Sequence, residues 1–196
     1  YPLYIRDGAG NIMVDQFGNT RYDYGSGDNA GLNRPVLSDS NAVSSALLDK
    51  DSSEGNTFTG TGSVEIRFLR DFKFTANNNI NLMEVRATST TNPYYGQYAA
   101  SNGIVSKQHA RNIDYTFQQL LTWTRTFNNV HNVTALLGHE YYTTPEYVLF
   151  ASKNNMFDPN NDELATAITE GNSNSYRSEY NNEGWLFRGQ YDYDGK

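Results

Sequence analysis

Acid–base or metal chemistry in this chain would have to come from its acidic side chains and its three histidines, at positions 109, 131 and 139, because there is no cysteine. The histidines are scattered, and neither a G-x-S-x-G elbow nor an H-E-x-x-H pair is present to seat a nucleophile or a zinc ion. His139 and Glu140 are neighbours, and on a strand neighbouring side chains point to opposite faces, which keeps them from ligating one metal. His131 stands beside a turn, where water is expected to solvate it. Asp158-Pro159-Asn160-Asn161-Asp162-Glu163 crowds oxygen ligands as a calcium site does, but it lacks the glycine and the distal glutamate of an EF-hand loop. A polar turn followed by a short helix from Asp162 to Thr169 accounts for it. No catalytic residue, metal or cofactor is expected, and the chain does not read as an enzyme.

Ligand contact is a better use of the aromatic residues. Asn92-Pro93-Tyr94-Tyr95-Gly96-Gln97-Tyr98 puts three tyrosines on one loop, and Tyr94, Tyr95 and Tyr98 offer flat apolar faces with hydrogen-bonding tips suited to sugars or peptides. The same rings also suit packing of the loop against its surroundings. Asn77, Asn79, Asn81, Asp114 and Gln118 form a second set, polar residues that would line a passage or meet water.

The elements that carry these residues follow from composition. Of 196 residues, 15 are Lys or Arg and 22 Asp or Glu, for a net charge of −7, and only 37% are hydrophobic. The acidic balance argues against nucleic acid, which needs a basic stripe to neutralise phosphates. Mean hydropathy is −0.69, and no run of about 18 apolar residues exists to form a membrane-spanning helix. A membrane-spanning barrel stays open, since each of its strands shows lipid only alternate side chains. The 15 Tyr and 10 Phe, against 2 Trp and 3 Met, favour β structure and membrane interfaces.

Alternation then picks out five strands. Phe58, Val64, Ile66 and Phe68 alternate with Thr59, Thr61, Glu65 and Arg67 between 58 and 69, and the pattern resumes in Phe72, Phe74, Ala76, Ile80 and Leu82 after an Arg70-Asp71 turn. Ile113, Tyr115, Phe117, Leu121 and Trp123 mark a third strand, which ends at the Asn128-Asn129 turn. Val133, Ala135 and Leu137 mark the fourth, and Trp185, Phe187, Gly189, Tyr191 and Tyr193 the fifth, which runs into Asp194-Gly195. Residues 1–57 read as a loop region, with a short hairpin around Asn11 to Phe17, and further loops span about 84–111 and 143–181.

Very short turns thus alternate with very long loops, and the strands are about 11 to 16 residues, against about 5 to 6 in soluble sheets and the 9 to 11 a tilted membrane strand needs. The expected fold is all-β, an antiparallel transmembrane β-barrel segment of a larger barrel, with short periplasmic turns and long extracellular loops in the bacterial outer membrane. Phe68, Phe72, Phe127, Tyr191 and Tyr193 would form the periplasmic aromatic girdle, with Arg125 on the apolar face snorkelling to the interface. The chain opens on Tyr1-Pro2 and closes in a turn, so it is expected to be an interior piece of a longer protein.

Asp7-Gly8, Asp15-Gln16-Phe17-Gly18, Tyr22-Asp23-Tyr24-Gly25, the run His131 to Glu140 and the run Phe187 to Lys196 resemble, in the same order, barrel segments of SusC/RagA-type TonB-linked outer-membrane transporters. The resemblance implies a plugged barrel of about 22 strands, energised by TonB and covered by a SusD-like surface lipoprotein, that imports glycan or peptide and sits in outer-membrane lipid. Two alternatives stay open: a passive porin or adhesin barrel, and a soluble carbohydrate-binding β-sandwich.

Overall fold

The computed structural model describes residues 3–16, 18–27, 33–35, 39–94 and 98–195. Among these residues the fold is all-β apart from one helix, α1 (Ala42–Leu48), and two single 3-10 turns. Five strands, β1 (Lys50–Phe68), β2 (Phe72–Thr91), β3 (Ile104–Phe127), β4 (His131–Met156) and β5 (Ala167–Tyr193), pair strictly in sequence order in one open antiparallel sheet. This is the form of a barrel wall detached from its neighbours.

Each expected alternation falls inside one of these strands, but the strands run further, to 27 residues in β5. The stretches read as loops at 84–111 and 143–181 are largely strand, since β2 continues to Thr91, β3 starts at Ile104, β4 continues to Met156 and β5 starts at Ala167. Hydropathy has no period of two there, because Arg86 to Thr91 and Ser152 to Asn155 are small or polar on both faces while Tyr147 to Ala151 is mostly apolar on both; Thr-rich segments such as Thr88 to Thr91 still favour extended backbone. The helix expected from Asp162 to Thr169 is a 3-10 turn, Leu164–Thr166, that leads directly into β5.

Three tight turns each place two residues in the left-handed region. Asn128 and Asn129 (φ 50° and 60°) and Asp194 and Gly195 (φ 50° and 76°) use residues that tolerate it. The left-handed pair of the first turn falls one residue earlier than expected, on Leu69 and Arg70 (φ 49° and 59°); Asp71 leads into β2, and its carbonyl accepts from the Thr124 amide at 2.9 Å.

The chain divides into two compact units, Tyr1–Glu54 with Arg86–His109 and Leu149–Asn174, and Gly55–Val85 with Ala110–Val148 and Ser175–Lys196. The first holds the small apolar core, Val105, Met156 and Ala167 with Leu164 packed against it. It also holds α1, whose cap Asn41 accepts from the Val43 and Ser44 amides and donates to the carbonyls of Leu3 and Asp23.

The hairpin expected near Asn11 is part of a three-way arrangement. The Ile5 amide donates to the Arg21 carbonyl, Arg21 to Met13 and Met13 to Ile5, each at 2.9 to 3.0 Å. Two copies of one turn close it: the Asp7 carboxylate accepts from the Asn11 amide and that of Asp15 from the Asn19 amide, and Gly10 and Gly18 (φ 88° and 85°) donate to the Asp7 and Asp15 carbonyls. Phe17 lies outside the described residues.

The second unit has almost no core. Among its described residues only Val148 is a buried apolar side chain, whereas Phe58, Val64, Ile66, Leu137, Trp185, Phe187 and Tyr191 are all exposed. A soluble sandwich would cover this face with a second sheet; the described strands form one sheet only.

Candidate functional site

The tyrosine loop joins β2 to β3. Asn92 is buried and anchors it: its amide and Nδ2 both donate to Asp49 Oδ1, at 2.9 and 2.7 Å, while its Oδ1 accepts from the Tyr94 amide at 3.1 Å. Tyr94 and Tyr98 are half exposed, at 49% and 47%. Tyr95 lies outside the described residues. Tyr98 lines a polar cavity of about 110 Å³ with Tyr24, Asp39 and Asp49, of which Tyr94 is not a wall. Tyr24 bonds Ser44 through its hydroxyl, and burial raises its pKa above the usual phenol range.

A larger groove in the same unit, about 380 Å³, was not legible in the sequence because it opens where loops were expected. Its lining combines small side chains (Ser53, Ala87, Ser89, Ser106) with the ring of Phe150 and the polar groups of Asp51 and Gln108. A flat ring beside hydroxyls, an amide and a carboxylate can hold an extended polar chain or a sugar by stacking and hydrogen bonds. The signal for it is the run of small residues opposite one phenylalanine, which only the strand register brings together.

In the second unit the polar set assembles as two cross-strand relays. Thr59 donates to Asn81, which donates to Asp114 at 3.3 Å; Asn77 donates to Gln118, which donates to Glu140 at 3.0 Å. Asn79 accepts from Thr61. Each amide is used laterally and each relay ends on a carboxylate with acceptor capacity left over, a surface that wets well and repels apolar matter.

His139 and Glu140 point to opposite faces as expected: Glu140 meets Gln118, while His139 meets Gln119 and Glu183. His131 is not simply solvated but bonds Tyr191 at 2.7 Å. The carboxylates of 158–163 diverge. Asp162 pairs with Lys50 and Glu163 with Lys107, while Asp158 caps its own turn at Asn160. Arg125 reaches back over Phe127 and to Asp71 at 3.5 Å, toward the turn.

No protein-family model matches this chain, and no curated protein does. Solved structures do. The chain superposes on a structure of the RagAB peptide transporter with a TM-score of 0.72 at 20% identity, over 91% of this chain and 20% of that one. Against the RagAB peptide importer the values are 0.68, 19%, 95% and 19% in the open-open state, and 0.72, 20%, 92% and 20% in the closed-closed state. The chain therefore spans about a fifth of the chains it resembles, and at this identity the likeness shows its fold alone: a long-stranded antiparallel sheet.

Proposed function

We propose that this chain is part of the barrel wall of an outer-membrane active transporter of the SusC/RagA type, which imports a peptide or glycan with help from TonB and a SusD-like surface lipoprotein. The observation that carries the reading is the second unit: segments of five paired strands with an exposed apolar face, an opposite face of amide relays and, among its described residues, Val148 as the single buried apolar side chain. Such a sheet is stable where one side meets hydrocarbon and the other water, and its two edge strands require neighbours from a longer chain, since lipid does not tolerate unpaired backbone. The short turns at 69–70, 128–129 and 194–195 then face the periplasm. The likeness to peptide-transporter structures supports the transport reading and favours peptide over glycan.

The ligand-contact surface is assigned to the groove beside Phe150 and to the tyrosines of the β2–β3 loop. Uptake of a labelled peptide mixture by cells carrying the full-length protein tests both points, with and without a protonophore. Active import stops when the proton-motive force collapses; uptake that continues unchanged means a passive pore. Replacing Tyr94 and Tyr95 together by alanine is expected to weaken binding about ten-fold, from about 0.5 to 1.5 kcal/mol per aromatic contact. Normal binding by that variant moves the site elsewhere.

A further inference from the structure

The outward face of the second unit changes character at one rung. Outward side chains alternate along a strand, so on β4 they are Val133, Ala135 and Leu137 after His131, and on β5 they are Tyr191, Gly189, Phe187 and Trp185 going back from Tyr193. None of these carries a charge, and Phe187 and Trp185 are 75% and 68% exposed. At the turn end His131 Nδ1 lies 2.7 Å from the Tyr191 hydroxyl, and its ring packs on Tyr193 at 5.2 Å. At the far end His139 spans three strands: Nδ1 lies 2.7 Å from Gln119 Oε1, Nε2 lies 3.0 Å from Glu183 Oε1, and the ring sits 4.4 Å from Trp185.

Past that rung the same face becomes a polar ladder. Tyr141 donates to Asn181 at 3.2 Å, Thr143 donates to Glu179 at 3.3 Å, and the Arg177 guanidinium covers Tyr147 at 5.5 Å. The interval from His131 to His139 is nine residues of strand, as is that from Trp185 to Tyr193. That matches the roughly 9 to 11 residues with which a tilted strand crosses the hydrocarbon.

We infer that lipid contact on β4 and β5 is confined between the His131–Tyr191 rung and the His139–Glu183–Trp185 rung, and that the ladder from Asn181 to Arg177 stands in water beyond the headgroups. The inference rests on the membrane reading above and adds its boundary. Both rungs combine a ring with a polar tip, the kind of group that settles at headgroup level. Glu183 is tolerated there and costly deeper, since the cost of a charge on the lipid face falls steeply from the bilayer centre to its interfaces. The run from Ser175 to Glu179 in β5 then stands outside the lipid.

The test is a nitroxide scan of β5 in the full-length protein, reconstituted in phosphatidylcholine vesicles and read by power saturation with oxygen and with a water-soluble nickel chelate. Labels go singly at Phe187, Gly189, Asn181, Glu179 and Ser175, all exposed positions. Phe187 and Gly189 should be relaxed chiefly by oxygen and the other three by nickel, with the crossover between 187 and 181. Oxygen dominance at Asn181 or Glu179 overturns the boundary but leaves the membrane reading intact, and so does a crossover on the turn side of Phe187. Nickel dominance at all five positions overturns the membrane reading itself.

Discussion

A single methyl group at Gly138 tests the packing of β3, β4 and β5. Gly138 is buried on the inner face of β4, and a Cβ added there would lie 2.7 Å from Leu186 Cγ and 3.0 Å from Leu120 Cδ2, where ordinary contact begins near 3.4 Å. Leu186 would have to retreat by 3.4 − 2.7 = 0.7 Å at its branch carbon, which needs a rotamer change rather than a swing of a methyl tip. Overpacking of this kind costs about 1 to 3 kcal/mol. Leu186 is half exposed, so Leu186→Ala alone should cost about 1 kcal/mol, roughly half the value of a fully buried leucine. The double variant should fall short of the sum by about 1 to 2 kcal/mol, because truncating Leu186 makes room for the methyl. Urea unfolding of the full-length protein in detergent micelles, followed by gel mobility, measures all three variants. A neutral Gly138→Ala with no coupling to Leu186 would refute the β4–β5 register described here.

Two further outcomes follow from the turns. Arg70→Gly should raise stability by about 0.5 kcal/mol, since the left-handed backbone costs a side chain about 1 to 2 kcal/mol and the extra freedom of glycine in the unfolded chain returns part of that; an unchanged or lower denaturant midpoint would contradict the turn geometry. At Asp7, the Asn11 side chain and then its amide hold the carboxyl below the usual carboxylate range. A depressed carboxyl stabilises fully above its ordinary pKa, near 4, and the contribution disappears as pH falls through the lowered value. NMR shifts of the Ala9 and Asn11 amides should therefore titrate with a midpoint below the ordinary one. A midpoint at or above it would mean the turn does not hold the carboxylate.

The apolar half of the fold was legible in the sequence. Phe58 to Phe68, Ile113 to Trp123 and Trp185 to Tyr193 alternate because one side of each strand is mainly apolar, with Gln119, Leu120 and Leu186 as exceptions, and the Asn128-Asn129 and Asp194-Gly195 pairs announce their turns by residue type. The polar halves of the same strands were hidden, since Arg86 to Thr91 or Ser152 to Asn154 carry no contrast between faces, and only pairing with a neighbouring strand holds them extended. That is why the groove beside Phe150 was missed. The tyrosine loop was found but not its geometry: Tyr98 lines a cavity while the Tyr94 backbone is held by Asn92, a division set by the buried contact of Asn92 with Asp49, two residues 43 apart. The kinship of the Asp7 and Asp15 turns stands in the sequence as a repeated Asp-x-x-Gly-Asn, and its meaning comes from Asn11 and Asn19 folding back onto their aspartates.

The ring of hydrogen bonds through Ile5, Met13 and Arg21 is a circuit with a direction and no ends. Each of the three residues gives its amide to one neighbour and its carbonyl to the other, so an arriving strand finds no row of open donors and acceptors at this level. The long sheet is the opposite case, with a free edge along β1 and another along β5, and free edges recruit whatever extended chain comes near. Aggregation of this chain in isolation should therefore start from those two edges and leave the N-terminal ring as a native bystander. Charged or proline substitutions meant to keep the isolated chain in solution belong on the open edges of β1 and β5, not in the first 25 residues.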